Sequence, residues 1–183
     1  NNQGVHLAKG SIKLNYLTKK DFQAIKIAKK NNIKNFALSF ANSVEDIKKF
    51  NTILKKENKI YKIETNKAVQ NIRQIAKFGN QFLIDRGDLS KETTIEKIPL
   101  MQRKIFKTLE KFKKKEVLVA TNLLESMIYN KYPTRGEAND IFNSLEMGAA
   151  GLVLAAETAI GKYPIDAIIF LKKMINIYKK YKS

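Results

Sequence analysis

An α/β fold built from repeating strand–helix units is what this sequence predicts, and three observations predict it. Short, almost wholly apolar runs recur five times along the chain. Each alternates with a longer stretch that carries the 3.6-residue periodicity of an amphipathic helix. No Gly/Ser-rich linker or low-complexity segment interrupts them, so residues 1–183 read as a single domain.

The strands are predicted at residues 36–40, 59–63, 81–84, 117–121 and 151–155. Each is brief and nearly all apolar, the pattern of parallel strands buried on both faces. The helices between them have readable starts. Thr18 opens the first, with Phe22, Ile25 and Ala28 on one face. Ser43 opens the second, with Asp46 three residues on as an acidic variant of the capping box and Ile47, Phe50 and Leu54 as its buried stripe. Asn66 is the expected cap of a helix carrying Val69, Ile72 and Ile75. Later helices are expected to bury Leu100, Ile105 and Leu109, then Ile141 and Leu145, then Ile165, Ile168, Leu171 and Ile175. Such a rhythm suits either an α/β barrel or an open α/β sheet. A closed barrel takes about eight strands in ~250 residues, so five strands leave two edges for further strands on another segment or chain.

Composition narrows the function classes. With no cysteine, disulfides and thiolate metal sites are excluded, which fits a reducing, cytoplasmic or organellar, compartment. The sole histidine, His6, falls in a predicted N-terminal loop, which excludes multi-histidine metal sites. No apolar run is long enough to span a membrane, and no partner membrane is expected. The start Asn1-Asn2-Gln3-Gly4, without Met or an apolar targeting segment, reads as internal. Lys plus Arg number 35 against 17 acids, a net charge of +18. That excess raises nucleic acid as a partner. Yet only Arg73, Arg86, Arg103 and Arg135 are arginines, and the lysines are spread over nearly every helix. A solvated lysine coat is the reading preferred here.

In both α/β architectures active residues gather at the carboxyl ends of the strands. Those ends read Ser39-Phe40, Lys62-Ile63-Glu64, Asp85-Arg86-Gly87-Asp88, Thr121-Asn122 and Glu157-Thr158. Lys62 and Glu64 lie two apart and point the same way. Glu64 and Asp88, on adjacent strand ends, suit a hard divalent cation such as magnesium. Gly87 allows backbone N–H groups close to an anion, and Thr121 adds a hydroxyl. Together they describe a pocket for a small dianion with magnesium. Singly each has a plainer reading: Lys-x-Glu as a surface ion pair, Asp before a helix as a cap, Glu157 as a loop cap.

Read in order, these segments closely resemble pyruvate kinase. The matching stretches are Ile60-Tyr61-Lys62-Ile63-Glu64, Arg86-Gly87-Asp88-Leu89, and Ala120-Thr121-Asn122-Leu123-Leu124-Glu125-Ser126-Met127. Pro133-Thr134-Arg135-Gly136-Glu137 and Glu157-Thr158-Ala159 with Gly161 and Tyr163-Pro164 follow. Gly4-Val5-His6-Leu7 and Leu17 to Asp21 resemble the family's return from its mobile lid domain into the barrel. The resemblance implies the later five βα units of a TIM (β/α)8 barrel, incomplete in this chain. The first barrel units, the lid domain and a C-terminal regulatory domain would lie outside it. It also implies phosphoryl transfer from phosphoenolpyruvate to ADP, giving pyruvate and ATP, with Mg2+ or Mn2+ and with K+ in the complete enzyme. It implies too a homo-oligomer or a missing barrel half as partner.

Carried over by position, Lys62 stabilises the enolate and the phosphoryl group in flight. Glu64 and Asp88 hold the cation, while Gly87, the Asp88 amide and Thr121 cradle the substrate carboxylate. Thr121 also lies near the carbon that is protonated. Arg86, Glu125, Arg135, Glu137 and Glu157 are secondary candidates. The sequence departs from the family at Asp85 and Ser90, at Ala155-Ala156 and near Asn42, and Asp85 sets a further negative charge beside an anion site. Two alternatives remain at this stage: a magnesium-dependent aldolase of the phosphoenolpyruvate/pyruvate type, and a non-catalytic barrel half that is structural or binds nucleic acid.

Overall fold

The computed structural model describes residues 17–183. His6 and the segment at residues 4–7 lie outside the described residues. Helix α1 (Lys19–Lys30) leads into strand β1 (Asn35–Leu38), and α2 (Val44–Ile53), β2 (Asn58–Ile63), α3 (Asn66–Ile75) and β3 (Gln81–Asp85) follow. Next come α4 (Arg86–Glu92), a 3-10 turn at Ile95–Lys97, α5 (Ile98–Leu109) and β4 (Glu116–Ala120). A second 3-10 turn at Glu125–Ile128, α6 (Arg135–Glu146), β5 (Gly151–Val153), α7 (Ala156–Ala159) and α8 (Pro164–Lys182) complete the chain.

All five strands are parallel, in the spatial order β1-β2-β3-β4-β5. That order decides between the two predicted architectures. A doubly wound open sheet reverses its strand order at a switch point and carries helices on both faces. Here every right-handed crossover steps to the next strand in one direction, which puts the helices on one face, as in a barrel wall.

Burial follows the two-residue strand period. Leu38, Tyr61, Ile63, Phe82, Ile84, Val117 and Val119 face the helices and are buried. They pack on Ile47, Phe50, Val69, Ile72, Ile105, Leu109, Ile141 and Leu145 of the helical layer. Residues of the alternate set, such as Ile60, Lys62, Leu118 and Gly151, are only half-buried. Strand β3 is buried on both faces, as the sequence predicts, with Leu83 and Asp85 covered on the second one; the outer strands are drier on the helix side, which the helices cover.

The caps at Thr18 and Ser43 form as predicted, Thr18 with a full capping box to Asp21. The cap of α3 is Thr65 rather than Asn66: its hydroxyl accepts from the Ala68 N–H, and Asn66 is already helical. Three stripes differ from expectation. Helix α1 precedes the outermost strand and buries no side chain, leaving Phe22 exposed. In α5, Leu100 faces solvent while Ile98 and Phe106 join Ile105 and Leu109. In α8, Ile165 and Ile168 are exposed and Ala167 and Leu171 are buried. Isoleucines occur on several faces of α8, so periodicity alone is ambiguous there.

Tyr61 ties the layers together. Its ring meets Phe50 edge-on at 6.3 Å and Phe82 at 6.0 Å, and its hydroxyl donates to Asn51 Oδ1 at 2.6 Å. Burial pushes the phenol up to about 12. Because the folded state disfavours the phenolate, this stability is complete below pH 10, the ordinary tyrosine value, and is lost as pH rises towards about 12. The loss amounts to roughly 2–3 kcal/mol at most. Urea unfolding of the full-length protein and of Tyr61→Phe between pH 8 and 11.5 checks this. The wild type is expected to lose its advantage as pH rises, and a pH-independent gap would contradict it.

Candidate active site

The half-buried face of the sheet carries the polar groups. Strand register aligns Lys62 with Leu83 and Ile63 with Ile84, so Glu64 stands level with Asp85 on the next strand end. Asp85 lies in turn beside Ala120, next to Thr121. Helix α4 starts directly after β3, which brings Gly87 and Asp88 to the same rim. Lys62, Glu64, Gly87, Asp88 and Thr121 are thus brought together on three adjacent strand ends, and Asp85 joins them.

Lys62 Nζ lies 2.5 Å from Glu64 Oε1 and 3.1 Å from Asp85 Oδ2. Glu64 is 1% exposed, and its Oε2 accepts the Phe40 N–H at 2.5 Å. Phe40 adopts a left-handed backbone (φ 52°) that aims this amide inward. Burial pushes the Glu64 carboxyl above the ordinary carboxylate range, and the Lys62 ammonium and Phe40 N–H offset this only in part. Burial alone would lower Lys62, but the Glu64 and Asp85 carboxylates outweigh it and hold the ammonium above the usual lysine value. Asp88 is held below its usual value chiefly by the Lys91 ammonium, 2.6 Å away.

Glu64, Asp85 and Asp88 each offer an oxygen within 4.8 Å of the others. Two oxygens bound to one magnesium ion at about 2.1 Å lie at most ~4.2 Å apart, so the three side chains would draw together to share one ion. Glu64 Oε1 is buried and, although the Lys62 ammonium approaches it, lacks a well-aligned hydrogen bond. An all-oxygen, carboxylate-rich donor set of this kind fits a hard divalent cation.

Beside this cluster, Thr121 and Asn122 have φ angles of 68° and 53°. For a β-branched residue this is a strained conformation. Arg86 secures it. Buried at the start of α4, its guanidinium donates to Thr121 O at 2.7 and 3.0 Å and to Asn122 O at 2.9 Å, and pairs with Asp140 of α6 at 2.5 Å. The Gly87 N–H donates to Thr121 Oγ1 at 2.7 Å. A Cβ on Gly87 would meet that oxygen at 3.4 Å, an ordinary contact, so the approach of the two does not by itself require glycine. Both the Thr121 hydroxyl (3.3 Å) and the Asp88 N–H (3.4 Å) face Asp85 Oδ1.

The secondary candidates divide. Glu157 is buried and spans two loops, accepting from the Leu124 N–H (3.1 Å) and the Ala155 N–H (2.8 Å). Glu137 closes the α6 capping box with Thr134 and also takes the Ser126 amide and hydroxyl. Burial opposes its ionisation, but those hydrogen bonds hold it below the usual range. Glu125 is exposed and accepts from Asn122 Nδ2. Arg135 is exposed at the first position of α6. Neither joins the cluster. Asn42, a departure from the family pattern, accepts from the Thr65 hydroxyl and from Asn71. Sequence reasoning missed the Phe40 amide and Asp140, for which no local signal exists. It also treated Asp85 as a departure only, although the Leu83–Asp85 alternation already puts that carboxylate on the Lys62 face.

Replacing Arg86 by Lys keeps the charge but removes the planar fork. The full-length variant is expected to lose about 3 kcal/mol, with faster amide hydrogen exchange concentrated at residues 121–124. Uniform exchange changes would argue against the stapling role.

Residues 1–168 match the family profile described as pyruvate kinase, barrel domain. The chain is 40% identical over 176 residues to pyruvate kinase of Thermotoga maritima, covering 94% of this chain and 38% of that protein. It is 37% identical over 178 residues to pyruvate kinase of Methanocaldococcus jannaschii, covering 95% and 40%. Against pyruvate kinase of Thermococcus litoralis it is 33% identical over 185 residues, covering 99% and 39%. The chain therefore spans about two-fifths of the length of these curated relatives. The comparisons give the aldolase alternative no support. Among the described residues no helix is long and apolar enough to cross a membrane. The sequence match, with a strand order consistent with a barrel wall, shows that this chain belongs to the pyruvate kinase family and forms part of its barrel domain.

Proposed function

We propose that the full protein carrying this chain transfers the phosphoryl group of phosphoenolpyruvate to ADP. The observation that carries this reading is the convergence of the Lys62 ammonium, the Glu64 and Asp88 carboxylates and the Thr121 hydroxyl at neighbouring strand ends. In the transfer the bond between phosphorus and the enol oxygen breaks and a bond to a terminal oxygen of ADP forms. The enolate left behind takes a proton at its methylene carbon to become pyruvate. Lys62, held protonated, faces the bridging oxygen and neutralises charge as it develops there. Glu64 and Asp88 hold Mg2+ or Mn2+, which when bound neutralises the anionic oxygens of the substrate. Gly87, the Asp88 amide and Thr121 orient the substrate carboxylate, and the Thr121 hydroxyl lies near the carbon that is protonated. Arg86, Glu137 and Glu157 act as positioning residues for the rim loops. K+ belongs to the same proposal for the whole enzyme.

Among the described residues the outer edges of β1 and β5 carry no partner strand. We infer that further strands close the barrel against them, because the unpaired N–H and C=O groups of a strand edge are otherwise open to association. The half-buried Ile60–Leu118 face would then become barrel interior.

Purified full-length protein is expected to form pyruvate from phosphoenolpyruvate and ADP only when Mg2+ is present. Lys62→Met should lower kcat by at least about a thousandfold; because it also leaves the buried Glu64 without its ammonium, the loss is read in variant protein shown by circular dichroism to be folded at the assay temperature. Absence of any magnesium-dependent transfer in the full-length wild type would overturn the proposal.

A further inference from the structure

Asp85 stands where a small residue would leave the rim open. Its Oδ1 faces the Asp88 N–H at 3.4 Å and the Thr121 hydroxyl at 3.3 Å, and its Oδ2 lies 3.1 Å from the Lys62 ammonium. Under the proposed function these are the groups that receive the substrate's own anionic oxygens. We propose that Asp85 is a specificity-determining residue: it completes a three-carboxylate cation site with Glu64 and Asp88, and it competes with the substrate carboxylate for the cradle. The inference rests on the proposed function for where that carboxylate binds.

Three observations support it. Asp85 is only 8% exposed, so its carboxylate stays among these partners instead of turning to water. Its oxygen completes the set with Glu64 and Asp88 within 4.8 Å, and the buried Glu64 Oε1, although 2.5 Å from the Lys62 ammonium, has no well-aligned hydrogen bond. Charge points the same way. Three carboxylates face the Lys62 and Lys91 ammoniums, leaving one net negative charge, which a divalent ion reverses to one positive. Without Asp85 the cation would meet no net negative charge, and the anionic substrate would meet one more net positive charge. Cation affinity and anion affinity are therefore set in opposite senses by one side chain.

Asp85 also caps α4, with its side chain accepting from the Asp88 N–H. A purely capping role makes a different forecast, because Asn caps a helix about as well as Asp. The test uses the full-length protein and its Asp85→Asn, Asp85→Ala and Glu64→Gln variants. Mn2+ binding is measured without substrate, and phosphoenolpyruvate binding is measured at saturating Mn2+. Both Asp85 variants are expected to bind Mn2+ roughly tenfold more weakly, an effect of the size expected for a hydrogen bond to a charged group. Asp85→Ala, which also frees the Asp88 N–H and the Thr121 hydroxyl, is expected to bind phosphoenolpyruvate roughly tenfold more tightly, and Asp85→Asn, which removes only the charge, about threefold more tightly. The Asn variant keeps the cap, so the result does not depend on the Ala variant folding. Affinities that move together, or that do not move in Asp85→Asn, overturn the inference. If Glu64→Gln weakens Mn2+ and the Asp85 variants do not, the inference alone falls. If the wild type binds no Mn2+, the proposed function falls with it.

Discussion

A carboxylate removed from water is the constraint around which the rim is arranged. Glu64 is 1% exposed at the end of a strand, a place where an unpaired charge would cost several kcal/mol. Its neighbours are accordingly specialised. Lys62 approaches one oxygen and the Phe40 amide reaches the other, and Phe40 takes a left-handed backbone to do so. Packing of the core requires none of these features. Tyr61 and Ile63, which alternate with them on β2, already supply the apolar contacts on the helix side.

The loops of the rim are held by charge as well as by apolar packing. Arg86 takes the carbonyls of Thr121 and Asn122, Glu157 takes the amides of Leu124 and Ala155, and Glu137 takes the amide of Ser126. Short connections that turn back from strand to helix expose backbone donors and acceptors that no ladder satisfies. A buried charged side chain can satisfy two or three of them and fix their direction. The consequence for Thr121 is direct. Its unfavourable φ is sustained by the Arg86 fork, and that conformation delivers the hydroxyl to the Gly87 N–H. Position and chemistry are joined through one arginine that holds the backbone carbonyl of Thr121, a residue of the proposed substrate cradle.

Most of this was legible from the residues, for a physical reason. Strand burial follows a period of two, so Lys62 and Glu64 had to share a face, and the apolar runs had to mark strands. Helix starts at Thr18 and Ser43 were readable because a hydroxyl three residues ahead of an acid is a local signal. The misassigned cap at Asn66 reflects a choice between two capable neighbours, Thr65 and Asn66, that only the local geometry makes. The misplaced stripes in α5 and α8 arise where isoleucine and leucine occupy more than one face. Long-range partners were invisible for another reason: Asp140 lies 54 residues from Arg86, and no local pattern links them. The choice between barrel and open sheet also needed the strand order, which spacing does not encode.

The division of the sheet into two faces explains how the site could change without the fold changing. Residues facing the helices are buried against side chains from several elements, so substitution there disturbs packing over a wide area. Asp85 lies on the other face, in alternation with the wholly buried Ile84. An added carboxylate at that position meets Lys62, the Asp88 amide and the Thr121 hydroxyl, and leaves the helix-side core untouched. Its energetic effect is therefore confined to the charge and hydrogen bonding of the rim. In a barrel wall of this kind, ligand preference can be reset one strand end at a time, because the alternation that builds the core also insulates it from the chemistry at the strand ends.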